Sequence, residues 1–174
     1  MNSKSRSITL FASVALGAML AVAQPPMAKP IDILSDAIIS NANKGPDVAM
    51  NRKGEVASKN KFKPPVRITY VAKTNGTDLR IGYAATQIIF NWERDQQQLR
   101  IDGGPADGRH VHGAGKIPKN TFVTIVQDVT PTRMTISVDG VARASWDADF
   151  SKVEDQVRVF PNNSIVTLRS MSVE

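Results

Sequence analysis

The sequence predicts an all-β protein, specifically an antiparallel β-sandwich or jelly roll of about ten strands. Two observations support this class. From residue 66 onward, short runs of β-branched and aromatic residues alternate with polar ones, and turn-forming residues separate the runs. Asn-Gly at 75–76 and Asp-Gly at 139–140 are pairs typical of tight hairpin turns. A closed β-barrel is the alternative architecture.

The first 23 residues have the features of a secretory signal peptide. Two basic residues precede an apolar run over 8–20, and Ala21-Val22-Ala23 has the small-x-small form of a signal-peptidase site. The apolar run is short for a membrane span, and Gln24-Pro25-Pro26 follows directly without stop-transfer charges. We therefore expect a secreted or periplasmic protein with no stable membrane insertion after cleavage.

Composition excludes several classes of function. The chain has no cysteine, which excludes disulfides, thiolate metal sites and a lipid-anchored N-terminus. Its formal net charge is +6, which becomes +4 when residues 1–23 are removed with their two basic residues. Because the lysines and arginines are scattered along the chain, we do not expect nucleic-acid binding. About 150 residues remain after cleavage, enough for one ordinary domain.

The part before residue 61 carries weaker patterns. Residues 24–60 are predicted to be a partly irregular N-terminal segment that precedes the sandwich domain at 61–174. Apolar residues at helical spacing predict a short helix over residues 31–41. Residues 47–58 are expected to contain two short strands around a turn.

After Pro65 the pattern is that of strands, interrupted mainly by a glycine-rich loop over 103–115. Each run ends at a turn-forming pair such as Asn75-Gly76, Thr130-Pro131 or Asp139-Gly140. The expected strands are 66–72, 79–84, the two arms of a hairpin over 86–102, 122–129, 133–138, 141–146, 156–160 and 165–173.

One polar sheet face is the best candidate for a binding site. Successive side chains of a strand point to opposite faces, so polar residues of 79–84 and of the 86–102 hairpin are expected to share a face. Arginine forks beside an amide and a carboxylate offer fixed donors and acceptors to a sugar, and an indole can stack on a sugar ring. An ordinary solvated outer face is the alternative. The expected ligand-binding residues are Arg80, Asn91, Trp92, Glu93, Arg100 and His110.

The loop after the hairpin contains two candidate metal sites. His110 and His112 would place two imidazoles on one side of an extended segment, with a third ligand from Glu93, Asp102 or Asp107. A calcium ion held by two of these aspartates and loop carbonyls is the other arrangement. We expect no cofactor and no metal site, and calcium remains the alternative.

The block over 122–143 runs Phe-Val-Thr-Ile-Val-Gln-Asp-Val-Thr-Pro-Thr-Arg-Met-Thr-Ile-Ser-Val-Asp-Gly-Val-Ala-Arg. It resembles the closing hairpins of the concanavalin A-like lectin/glucanase superfamily, including its laminin-G-like branch, in which an apolar-x-Val-Asp-Gly turn recurs. The resemblance covers roughly residues 61–174. It implies a two-sheet jelly roll with a concave face that often binds carbohydrate.

The laminarinase-type glucanases of this superfamily carry Glu-x-Asp-x-x-Glu on their catalytic strand. This chain has Glu93, Asp95 and Gln98 at the same spacing, and an amide cannot protonate a leaving oxygen. A non-catalytic carbohydrate-binding or extracellular interaction domain is therefore the leading expectation. The alternatives are a glycoside hydrolase-like enzyme that uses Glu93 with Asp95 or Asp102 on a polysaccharide or disaccharide, and a structural envelope protein.

Overall fold

The computed structural model describes residues 29–174, so the signal peptide expected over residues 1–23 lies outside the described residues. The described chain contains twelve strands and no helix, and all strand pairings are antiparallel, which confirms the all-β class. The strands are β1 (Ile31–Asp32), β2 (Ile38–Lys44), β3 (Val48–Phe62), β4 (Val66–Thr74), β5 (Leu79–Gly82), β6 (Gln87–Phe90), β7 (Arg100–Asp102), β8 (Val123–Val129), β9 (Arg133–Val138), β10 (Val141–Asp147), β11 (Asp155–Pro161) and β12 (Val166–Val173).

The strands form one sheet in the order β10-β9-β8-β4-β12-β3-β11-β5-β6-β7, with β1 added on β12 and β2 on β3. This sheet curls, because strands far apart in that order touch. Gln127 of β8 donates its side-chain N–H to the carbonyl of Tyr83, just after β5, at 2.9 Å. Trp146 of β10 donates to the carbonyl of Arg109, in the loop after β7, at 2.7 Å. The two end strands are not paired with each other, so the fold is a jelly-roll sandwich rather than a closed barrel.

Strand β3 passes from one layer of the sandwich to the other. Its residues 48–50 pair with β12, and its residues 56–62 pair with β11. Between these two parts, residues 51–54 form a bulge opposite the single residue Asn41 of β2. A bulge bends a strand and increases its twist, which allows one strand to serve two layers.

The core lies between the layers and follows from strict alternation. Every second side chain is buried along β4 and β8, as the period of a strand requires when one face is covered. Ile68 and Ile125 from these strands belong to the same apolar cluster as Leu79, Ile88 and Phe90 from β5 and β6. Full burial of one such side chain stabilises the fold by about 1.5–3 kcal/mol.

The prediction for the N-terminal part needs two corrections. The short helix expected over residues 31–41 is wrong, because residues 38–44 form β2. The helical spacing came from Leu34, Ala37 and Ile38. Leu34 and Ala37 belong to a turn, in which the N–H of Ala37 donates to the carbonyl of Leu34 at 3.2 Å, and Ile38 begins β2. The sandwich also begins well before residue 61, since β3 lies between β12 and β11 in the sheet.

The two predicted glycine-containing turns have different outcomes. Asp139 and Gly140 have φ of 50° and 77° and join β9 to β10 by a two-residue hairpin, as predicted. The hairpin predicted at Asn75-Gly76 is wrong, because β4 and β5 pair with other strands. Asn75 instead accepts the backbone N–H of Ile165 at 2.9 Å, and this contact holds the crossing from one layer to the other.

Candidate functional site

A pocket of about 230 Å³ lies on the outer face of β5, β6 and β7. The outward side chains of β5 and β7, and Gln87 of β6, are partly exposed, and the buried Ile89 of β6 lies on the same face among them. The pairing of Gln87 with Asp102, and of Ile89 with both Arg80 and Arg100, places the outward side chains in adjacent rows. The lining residues are Arg80, Gln87, Ile89, Trp92, Glu93, Arg94, Arg100 and Asp102.

A chain of side-chain hydrogen bonds crosses the three strands. Arg80 donates through Nη2 to Asp78 Oδ1 at 3.0 Å and through Nη1 to Gln87 Oε1 at 2.7 Å. Gln87 donates in turn to Asp102 Oδ2 at 2.8 Å, and Arg100 Nε donates to the same oxygen at 2.9 Å. Side chains held in this way lose little further freedom when a ligand arrives.

Trp92 supplies an aromatic ring to the pocket, and the guanidinium of Arg100 lies over that ring. The guanidinium carbon of Arg100 lies 4.5 Å from the centre of the Trp92 ring, within the range of a cation–π interaction. The Nε of this arginine is bound to Asp102, and its terminal nitrogens have no hydrogen-bond partner among residues 29–174. This stacking fixes the plane of the guanidinium and leaves donors for a ligand.

Two carboxyl groups, Asp78 and Glu93, lie beside Arg80. The side chain of Asp78 is fully buried, and its Oδ2 has no hydrogen-bond partner within the described chain. Burial raises the pKa of Asp78, and the neighbouring carboxyl of Glu93 raises it further. Burial alone would raise the pKa of Glu93, but the neighbouring Asp78 and the charge of Arg80 lower it below its ordinary value. The two pKa values are therefore shifted in opposite directions, and Glu93 is the group that ionises more readily.

Asp102 is the second ionised carboxylate of the pocket. Burial alone would raise its pKa, but the hydrogen bonds from Arg100 and Gln87 lower it below its ordinary value. A carboxylate stabilised in this way accepts hydrogen bonds and does not act as a proton donor near neutral pH.

Four of the six predicted site residues line the pocket, namely Arg80, Trp92, Glu93 and Arg100. Asn91 does not, because it is buried and its amide group accepts from the N–H of Ile117 at 2.9 Å and donates to its carbonyl at 3.1 Å. The φ of Asn91 is 51°, so the strand alternation predicted through residue 93 ends at this residue. Trp92 therefore lies on the polar face, where the alternation predicted Asn91.

His110 also lies outside the residues that line the pocket. Its Nδ1 accepts the backbone N–H of Ile101 at 3.2 Å, so this side chain binds the backbone of the edge strand β7. His112 lies 3.4 Å from Asp95 and is largely exposed. Asp107 accepts the backbone N–H of Gly103 at 2.6 Å and does not line the pocket with Asp102. Within residues 29–174, no group of three or more His, Asp or Glu side chains could hold a metal ion.

The glucanase-like spacing of Glu93, Asp95 and Gln98 does not lie on a strand. Residues 91–99 connect β6 to β7, and Asp95 accepts the backbone N–H of Gln97 at 2.9 Å as part of a turn. Glu93 faces the pocket, whereas Asp95 and Gln98 are not among its lining residues.

The predicted ligand-binding set lacks Gln87, Arg94 and Asp102, which line the pocket, and Asp78, which lies beside Arg80. Alternation places Gln87 and Asp102 on the polar face, and Asp78 is two residues before Arg80, so these three could have been included. The burial of the Asp78 carboxyl has no such indication in the sequence, because it depends on a left-handed backbone with φ of 59°.

Comparisons with solved structures place the fold. The chain is similar to a Bacillus licheniformis β-glucanase, with a TM-score of 0.59, 11% identity and coverage of 76% of this chain and 81% of that one. It is similar to the exoplasmic/lumenal domain of VIP36 in its calcium- and Man3GlcNAc-bound form, with a TM-score of 0.59, 10% identity and coverage of 79% and 82%. For the Caenorhabditis elegans galectin LEC-6 the TM-score is 0.53, the identity 13% and the coverage 76% and 94%.

These neighbours are concanavalin A-like lectins and glucanases, so the jelly-roll fold expected from the resemblance is confirmed. No protein-family model and no curated protein matches the sequence. Among residues 29–174, no helix is long and apolar enough to cross a membrane. A fold shared by lectins and glucanases is compatible with either kind of function, and the pocket must distinguish them.

Proposed function

We propose that this protein is an exported, non-catalytic domain that binds carbohydrate in the pocket on β5, β6 and β7. The observation that carries this proposal is the hydrogen-bonded chain from Asp78 to Arg100, which ends beside the ring of Trp92. Fixed polar groups next to an aromatic ring are suited to a ligand with many hydroxyls and apolar ring faces. The features of residues 1–23 support export, and the lectin neighbours support the class of ligand.

The carboxyl groups support binding more than hydrolysis. Retaining and inverting glycosidases both need a proton donor and a second carboxylate that face the substrate. Glu93 and Asp102 both line the pocket, but the pKa of each is lowered, so neither holds a proton to donate. The pKa of Asp78 is raised by burial, but Asp78 is fully buried beside Arg80 and does not line the pocket.

A glycan array followed by calorimetric titration tests the proposal. Arg100→Ala removes a charged donor and should weaken binding of a glycan found on the array by about 1–3 kcal/mol, roughly 5- to 150-fold in Kd. Arg133→Ala is the matched control, because Arg133 also donates through Nε to an aspartate, Asp147, but outside this pocket. Absence of glycan binding, or an equal loss in both variants, would overturn the proposal.

Glycoside hydrolysis is the second candidate, favoured by the two carboxylates in one pocket and by the glucanase neighbours. Incubation with a polysaccharide panel, followed by measurement of reducing ends, separates it from binding alone. We expect no cleavage. Reproducible cleavage that is absent in Glu93→Gln and retained in Asp95→Asn would reverse the order of the two candidates.

A further inference from the structure

We infer that the ligand is an acidic carbohydrate whose carboxylate, of the uronic-acid type, is bound by Arg100 and Arg94. This inference rests on the proposed function and narrows its class of ligand. Its basis is a pair of arginines that line the pocket and whose terminal guanidinium nitrogens have no hydrogen-bond partner among residues 29–174.

The free donors belong to two arginines. Arg100 uses only Nε within the protein, and Arg94 forms no hydrogen bond or ion pair with the described residues. Both line the pocket. Two terminal nitrogens of one guanidinium match the two oxygens of a carboxylate, and this paired geometry is stronger than a bond to a neutral hydroxyl.

Some acceptors of the pocket are engaged. Oδ2 of Asp102 receives hydrogen bonds from Arg100 and Gln87. Gln87 uses its oxygen for Arg80 and its nitrogen for Asp102. The carboxylate of Glu93 lies 3.9 Å from Nη2 of Arg80 and is left, with Oδ1 of Asp102, for ligand hydroxyls. Neutral and acidic sugars both carry hydroxyls, so the free guanidinium nitrogens are the feature that favours a ligand carboxylate.

Arg94 supplies the positive charge that has no ion-pair partner in the pocket. Arg80 contacts the carboxyl groups of Asp78 and Glu93, and Arg100 is paired with Asp102 at 2.9 Å. Arg94 also lines the pocket and forms no ion pair with residues 29–174. A ligand carboxylate would be attracted to this charge.

The experiment compares matched acidic and neutral ligands. Oligomers of galacturonate, glucuronate and mannuronate are titrated into the protein, and the same oligomers are titrated after chemical reduction of each carboxylate to an alcohol. We expect at least one acidic oligomer to bind at least tenfold more tightly than its reduced form. Arg100→Ala and Arg94→Ala should each weaken that binding at least fivefold, and Arg133→Ala, which leaves the pocket intact, should change it less than twofold.

The outcomes separate this inference from the proposed function. Equal or tighter binding of the reduced oligomers overturns the acidic ligand and leaves carbohydrate binding standing. Acidic binding that falls equally in Arg100→Ala and Arg133→Ala reflects the net charge of the protein and also overturns the inference. If neither form binds and the glycan array is empty, the proposed function fails as well. Arg100→Lys keeps the charge without the paired donors, so restored affinity in this variant would contradict the bidentate contact.

Discussion

At Asp78 a fully buried carboxyl group coincides with a left-handed backbone, a conformation that costs free energy in a residue other than glycine. Arg80 donates to Oδ1 of this residue, and burial together with the neighbouring carboxyl of Glu93 raises its pKa. Because Asp78 supports Arg80 from behind, its protonation affects the site without any contact with ligand. Residues of this kind couple stability to pH.

We predict that Asp78→Asn makes stability less dependent on pH. The pKa of Asp78 is raised from 3.8, so its stabilising effect is fully present below that pH and is lost as pH rises through the folded pKa. Asparagine keeps an oxygen for Arg80 and a donor for Glu93 without titrating. Denaturant unfolding between about pH 4 and 7 should therefore show a smaller fall in the variant than in the natural chain.

The control for this prediction is Asp149→Asn. The pKa of Asp149 is lowered by hydrogen bonds from Ser151, so its stabilising effect is lost as pH falls, and the slope between about pH 5 and 7 should not change. Equal slopes in Asp78→Asn and the natural chain would contradict a raised pKa at Asp78.

In β3, the backbone around Gly54 is too crowded for a side chain. A Cβ atom at Gly54 would lie 2.7 Å from the Cβ of Met50 and 2.9 Å from the carbonyl of Asn41, so the bulge at residues 51–54 leaves no room for a side chain there. This bulge connects the part of β3 on β12 with the part on β11. The geometry of one glycine therefore affects both layers of the sandwich.

We predict that Gly54→Ala lowers the free energy of unfolding by about 1–3 kcal/mol, because the crowded backbone must shift to admit a methyl group. Gly76→Ala is the matched control, since its Cβ would meet only Ser164 at 3.6 Å, an ordinary contact. The control should be neutral or slightly stabilising, by at most about 1 kcal/mol. Equal stability of the two variants in denaturant unfolding would show that the bulge does not constrain the fold.

Strand periodicity predicted most elements after residue 65 because alternation reports directly which face is covered. It failed where the backbone leaves the regular strand. Asn91 reverses the alternation by its positive φ, and Asn75-Gly76 crosses between layers instead of making a hairpin. The helical spacing before residue 41 spans a turn and the start of β2, which pairs with β3. Each of these is decided by contacts with a distant part of the chain, which local pattern does not contain.

The same reasoning explains which site residues could be predicted. Arg80 and Arg100 lie within regular strands, where parity fixes the face, and both line the pocket. Trp92 lies after the irregular Asn91. Alternation predicted it at the edge of the polar face, and in the structure it lines the pocket. His110 belongs to a loop whose path depends on its bond to the backbone of Ile101.

For the whole molecule, the curl of the sheet depends on polar contacts inside an otherwise apolar core. Gln127 of β8 is fully buried, accepts from the hydroxyl of Tyr70 at 3.1 Å and donates to the carbonyl of Tyr83 at 2.9 Å. Tyr83 in turn donates its hydroxyl to the carbonyl of Phe62 in β3 at 3.2 Å. This chain connects β4 and β8 in one layer with β5 and β3 in the other.

We predict that Gln127→Leu lowers the free energy of unfolding by about 2–3 kcal/mol, although it adds an apolar side chain to an apolar core. The variant leaves the hydroxyl of Tyr70 and the carbonyl of Tyr83 buried without their partner, and unpaired buried groups cost about 1–3 kcal/mol. Burial raises the pKa of Tyr70 well above its ordinary value, so this residue remains a neutral hydroxyl donor throughout the accessible pH range.

Denaturant unfolding of Tyr70→Phe, Gln127→Leu and the double variant should give a coupling free energy of at least about 0.5 kcal/mol between the two positions, since the second change removes the group that the first leaves unpaired. Gln97→Leu, an exposed replacement of the same kind, should stay within about 0.5 kcal/mol of the natural chain. Additive losses would mean that the two layers are held together by apolar packing alone.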